Sequence, residues 1–99
     1  MVELGTVPII PTRVIWEEEA NGGALLYNMD TDDMVSLNQV GTTIWRLCNG
    51  KRSVDEIIHQ LLKRYKVPAT TCRQETIALL DQLSTQGLLE WTEATSTEG

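Results

Sequence analysis

Few residues in this chain could do covalent chemistry, and their spacing argues against it. The single histidine, His59, could act as a general base or a metal ligand. It falls among Glu56, Gln60 and Lys63 on the polar side of a helical stripe, where an exposed imidazole is expected. Cys48 and Cys72 could be nucleophiles, redox partners or ligands. They stand far apart, outside any CxxC spacing and without a histidine partner, so reduced packing cysteines are expected. Glu17, Glu18 and Glu19 form one acidic run, and Asp30, Asp32 and Asp33 another. Both sit at strand ends, where charge keeps an edge soluble. No Ser-His-Asp set, GxGxxG, phosphate loop or metal-ligand spacing occurs. The sequence predicts no enzyme, no cofactor and no metal: it points to recognition.

The chemistry that remains belongs to backbone groups and apolar surface. Met34, Val35, Ser36 and Leu37 read as a short uncharged edge strand, with Met34 and Ser36 on one face and Val35 and Leu37 on the other. Such an edge offers N–H and C=O groups that an extended peptide can pair with. Later in the chain, one predicted helix carries two apolar stripes. Ile77, Leu80, Ser84 and Leu88 form the first, and Cys72, Thr76, Leu79 and Leu83 the second. A small domain needs one stripe for its core. Either both are buried in a cleft between sheet and helices, or one lines a groove that a peptide fills.

Strong local signals define the elements that must position these walls. Residues 13–18 (RVIWEE) and 24–28 (ALLYN) read as strands, joined through Asn21, Gly22 and Gly23, residues that tolerate positive φ in a tight hairpin. The MVSL run makes a third strand. Pro8 and Pro11 keep the N-terminal segment extended but out of any central ladder. Asn38 then caps a helix over residues 38–48, which stops at Gly50. Ser53 opens a second helix, to residue 66, and Glu56 completes a capping box. A third helix is expected after Pro68, with Thr71 as N-cap, Gln74 completing another box and Gly87 as stop. The expectation is an α+β domain: a three-stranded antiparallel sheet followed by a three-helix bundle, in winged helix-turn-helix outline. It spans residues 13–91, after an extended segment 1–12 and before a flexible tail 92–99.

Charge limits the partners. The net charge is −6 over 99 residues, unevenly spread. Residues 1–45 set seven acids against Arg13, residues 46–66 carry a balance of +4, and residues 67–99 return to −4. A basic band therefore crosses the middle helices. Arg52, Lys63 and Arg64 within it are candidates for docking an acidic protein partner, or simply a solvated face. A winged helix raises the question of nucleic acid. Its recognition helix should carry several cations, whereas the third helix offers Arg73 against Glu75 and Asp81, so no nucleic-acid partner is expected. No apolar run is long enough to span a membrane, and the first residues lack the pattern of a secretory signal; a cytoplasmic location is the default.

The run SLNQVGTTIWRLCNGKRSVDEIIHQLLKRYKVP, followed by LLDQLSTQGLL, resembles the PqqD-like family of precursor peptide recognition elements. Its ordered signature is LN-x-x-G-x-x-IW-x-L, then G-x-R-S-V-x-E-I, then a terminal GLL, and the resemblance covers roughly residues 13–91. It implies a protein that binds the leader of a ribosomally synthesised precursor peptide and delivers it to a maturation enzyme. In that family the leader adds beside the third strand and packs on the third helix. The resemblance therefore assigns peptide binding to Met34, Val35, Ser36 and Leu37, and to Arg73, Thr76, Ile77, Leu80 and Leu83. The QGLLEW ending and DTDDMVSLN run look like discrete leader-binding proteins of lasso-peptide pathways, which act with a leader peptidase. Members serving pyrroloquinoline quinone synthesis, which act with a radical enzyme, look similar through the central region.

Overall fold

The computed structural model describes residues 5–92. In chain order it contains β1 (Val7–Ile9), β2 (Val14–Glu18), β3 (Ala24–Asn28), β4 (Met34–Leu37), α1 (Gln39–Leu47), α2 (Val54–Arg64), α3 (Ala69–Thr85) and β5 (Glu90–Thr92). The tail is expected from residue 92, but Thr92 ends β5 and pairs with Val7; residues 93–99 lie outside the described residues. An antiparallel sheet of order β2-β3-β4 packs on three helices, and β1 and β5 make a separate two-stranded ribbon.

Most elements begin and end where a specific side chain requires it. At the β2–β3 turn, Gly22 takes φ 89°, a conformation that glycine adopts without steric cost. The Asn38 side chain accepts from the Gly41 N–H at 2.8 Å, starting α1. Ser53 and Glu56 make both bonds of the capping box at α2. At α3 the expected cap is corrected. The helix starts at Ala69 directly after Pro68, and no side chain caps it. Proline holds Pro68 at φ −61° in extended backbone, so the following residue can enter the helix at once and Thr71 is already inside the first turn. The other end stops at Gly87, with φ 73°. There Gly87 N–H reaches the Ser84 carbonyl and Leu88 N–H the Leu83 carbonyl, the paired bonds of a Schellman motif.

The N-terminal segment is paired where the sequence suggested only an extended chain. Val7, Pro8 and Ile9 face Thr92, Trp91 and Glu90 in antiparallel register. The Pro8 carbonyl also accepts from Gly50 N–H at 3.0 Å, and the Thr6 carbonyl from Val54 N–H at 3.0 Å. A proline is tolerated because the ribbon stands outside the main sheet.

The inner face of the sheet carries Val14, Trp16, Ala24, Leu26, Val35 and Leu37, by the alternation of a pleated strand. Leu26 and Ala24 meet Trp45, Ile57, Leu61, Leu80, Leu83 and Leu88 in one cluster. Trp45 is fully buried, and Trp16 stands across it in a T-shaped pair at 6.2 Å. Both cysteines are free and buried. Burial pushes the Cys48 thiol up to about 12, and its Sγ donates to the Ile44 carbonyl at 3.3 Å. His59 is exposed, its Nδ1 3.0 Å from the Asp55 carbonyl within the same helix. Among the described residues no helix is long and apolar enough to cross a membrane.

Candidate functional site

Two free strand edges flank the sheet, and they differ in chemistry. In an antiparallel ladder, residues alternate between exchanging both hydrogen bonds and facing away. The Asn28 N–H donates to the Asp33 carbonyl at 2.9 Å, just beyond the β3–β4 pairing. Counting in twos from that pair, Val35 bonds to Leu26 and Leu37 to Ala24. The N–H and C=O of Met34 and Ser36 therefore project from the free edge of β4. On the other side, the free edge of β2 lies beside Glu17, Glu18 and Glu19, and Glu18 is ion-paired with Arg46. Charged side chains guard β2 against strand addition; β4 is uncharged and open.

Beside the open edge lies a cleft of about 250 Å³, lined by Ser36, Leu37, Asn38, Val40, Gly41, Ile44, Glu75 and Leu79. Its walls are the end of β4, the first turns of α1 and one flank of α3. A second cavity of about 110 Å³ continues from it, sharing Val40, Ile44 and Glu75 and adding Leu61, Tyr65, Val67, Cys72 and Thr76. The lining is almost wholly apolar, with the Tyr65 hydroxyl held against Thr43 Oγ1 at 3.1 Å. Gly41 leaves room in the floor: a Cβ there would approach Asn38 Oδ1 to 3.3 Å and the Leu37 side chain to 3.4 Å. Backbone groups along an edge and apolar pockets at its side can together hold an extended peptide.

The site residues expected from sequence divide sharply. Ser36 and Leu37 line the larger cleft and Thr76 the smaller one. Val35 faces inward and packs on the core, while the Met34 side chain is 59% exposed on the outer face of the sheet. Met34 can therefore offer backbone but no side-chain wall. Leu80 and Leu83 are wholly buried and present no surface to a ligand. Ile77 and Arg73 line neither cavity. The reason is rotational. Successive helix residues step by about 100°, which puts Glu75 and Leu79 on the flank toward β4, Leu80 and Leu83 on the core, and Ile77 on the far flank. Leu79 belonged to the second of the two sequence stripes, and Val40 and Tyr65 fall on the apolar faces that periodicity gives the first and second helices; Glu75 carried no signal in apolar periodicity. The basic candidates lie elsewhere: Lys63 and Arg64 are exposed in the last turn of α2, and Arg52 is half-buried before it.

A three-stranded antiparallel sheet on three helices, with an open edge beside a cleft, defines an α+β class of fold. The sequence profile described as coenzyme PQQ synthesis protein D (PqqD) matches residues 23–89, and the chain belongs to that family. A curated relative from Bradyrhizobium diazoefficiens, named PqqA binding protein, is 35% identical over 52 residues. That match takes in 52% of this chain and 50% of the relative, so the chain spans about half the length of the curated relative it matches. Among solved structures, TbiB1 in complex with the TbiA(beta) leader peptide superposes with a TM-score of 0.75 at 22% identity, covering 91% of this chain and 99% of that one. The heterocyclase TruD gives a TM-score of 0.64 at 18% identity, covering 93% of this chain and 12% of that one. These two likenesses are of fold.

Proposed function

We propose that this protein is a non-catalytic recognition element that captures the leader of a ribosomally synthesised precursor peptide and delivers it to a maturation enzyme. The observation that carries the reading is the uncharged β4 edge, with Met34 and Ser36 backbone groups turned outward beside the Leu37–Leu79 cleft. The leader adds as a fourth strand to β4. Its inward side chains pack beside Leu37, Ile44 and Leu79, and one can pass into the Tyr65 pocket. Backbone pairing supplies affinity in any sequence, and the pockets supply selection. Two names support the reading: a family relative is called a PqqA binding protein, and a protein of the same fold was solved with a leader peptide.

The enzyme served is read as a lasso-peptide leader peptidase, in the cytoplasm where precursors are made. A second reading, a peptide chaperone for a radical enzyme of pyrroloquinoline quinone synthesis, is favoured by the family description and by the curated relative. In both, the exposed Lys63 and Arg64, with Arg52, form the enzyme-docking face. Charge reversal at Lys63 and Arg64 should then weaken enzyme co-elution and leave peptide titrations unchanged. A winged-helix outline does not make α3 a DNA reader, since Arg73 is its lone cation against Glu75 and Asp81.

Amide hydrogen exchange with and without the precursor peptide from the neighbouring gene tests strand addition. The Met34 and Ser36 amides should become protected while Val35 and Leu37, already paired, change little. Protection confined to β2 or to α2 would sink the proposal.

A further inference from the structure

Within the groove one side chain is out of keeping with the rest. The residues lining the two cavities are apolar or neutral except Glu75, which lines both. Glu75 is exposed, and among the described residues it makes no ion pair and no side-chain hydrogen bond. The helix itself does not neutralise it. Its neighbours at three and four residues are Cys72, Ala78, Thr71 and Leu79, none of them cationic. Arg73 lies two positions back, about 200° around the helix, and so faces away. An unpaired carboxylate at the junction of two apolar pockets repels an acidic guest and attracts a basic one. Part of its hydration is lost when a peptide covers the cleft, which strengthens that discrimination.

We propose that Glu75 sets the charge specificity of the groove: the peptide bound there carries a lysine or arginine between the residue that fills the Leu37–Leu79 cleft and the residue that enters the Tyr65 pocket. This rests on the strand-addition reading above and adds the chemical class of the guest. The recognised segment is extended, and of its inward-facing residues two are apolar and the one between them is cationic. The negative charge of the whole chain, −6, steers such a peptide in the same direction.

Selection from a displayed library of random peptides, long enough to span β4, tests this on the intact protein. Wild type, Glu75→Gln and Glu75→Lys are used as bait, with folding checked by circular dichroism. Wild type should enrich peptides with a basic residue at constant spacing from two bulky apolar ones. Glu75→Lys should enrich Asp or Glu at that position, and Glu75→Gln should show no preference while still binding. For one enriched peptide, replacing its cation by glutamine should cost roughly three- to tenfold in affinity against wild type and nothing against Glu75→Gln, with the difference shrinking in high salt. Identical peptides from all three baits would overturn the role of Glu75 and leave strand addition standing. Enriched peptides that bind Met34→Pro as well as wild type would overturn strand addition itself.

Discussion

Asn28 and Gly87 are joined across the molecule: Nδ2 of Asn28, buried at the end of β3, donates to the Gly87 carbonyl at 3.2 Å and lies 3.4 Å from the Gln86 carbonyl. Arg13 Nε donates to the same Gly87 carbonyl at 3.0 Å, and its guanidinium reaches Glu90 at 2.6 Å. These donors meet the carbonyls of the C-cap Gln86 and of Gly87 just beyond α3. The clamp fixes the end of α3 against the sheet, and the separation of α3 from β4 is the width of the groove.

Removing the clamp should cost both stability and binding. Asn28→Ala deletes a buried donor, leaving the Gly87 carbonyl to Arg13 alone and removing the acceptor of the Asp30 N–H, at about 2 kcal/mol. Gly87→Ala should cost about 1–2 kcal/mol, because φ 73° is strained for alanine and its Cβ would come within 3.0 Å of Asn28 Nδ2. The two act on one contact, so the double variant should lose less than the sum. Urea midpoints with unchanged slope check this.

Proline at neighbouring positions of β4 should give opposite results. Met34 N–H faces the free edge, so Met34→Pro leaves the β3–β4 ladder intact and should keep the fold while lowering leader affinity at least tenfold. Val35 N–H points to Leu26, so Val35→Pro breaks the native ladder and should destabilise by about 3 kcal/mol or more. Thermal melts and peptide titrations on both variants separate the two effects. Equal loss of fold in both would mean that the register assigned to β4 is wrong.

The contrast shows what the sequence could carry. Strand β4 was legible to the residue, because alternation, the preceding aspartate turn and the Asn38 cap leave its limits little freedom. The α3 face was less so. Its apolar residues surround the helix so broadly that periodicity offers two stripes without ranking them, and only the packed neighbours decide that Leu80 is core and Leu79 is wall. The β1–β5 ribbon was illegible for another reason: pairing between residues 7–9 and 90–92 is set by the tertiary fold, and no local pattern announces it. Glu75 was passed over because an exposed acid on a helix resembles any solvated one until the cavities on either side are seen.

Leu79 and Leu80 should therefore part company on mutation. Leu80 is wholly buried, and Leu80→Asp puts a carboxylate in the core, which should unfold the domain or cost about 4 kcal/mol or more. Leu79 is half-buried on the groove flank. Leu79→Asp should keep most of the stability, losing about 1 kcal/mol, and weaken leader binding by roughly tenfold or more. A folded Leu80→Asp variant with normal binding would contradict the core placement.

Cys48 gives a pH dependence whose sign follows from burial. Its thiol ionises at about 12 in the folded protein against 9.0 in the unfolded chain, because desolvation disfavours the thiolate. A folded-state pKa raised in this way leaves stability unaffected below about pH 9, where the thiol is neutral in both states. Above that, ionisation favours the unfolded chain, and stability falls by about 1.4 kcal/mol per pH unit until the folded pKa is reached. Every other ionisable group is common to both proteins, so the measurement is the difference between wild type and Cys48→Ala. That gap should be constant between pH 6 and about pH 8 and narrow steadily from about pH 9 to about pH 11 as wild type loses its advantage. A gap that stays constant throughout would mean the Cys48 thiol is open to solvent in the folded state. A thiol reagent that labels it at neutral pH without denaturant would say the same.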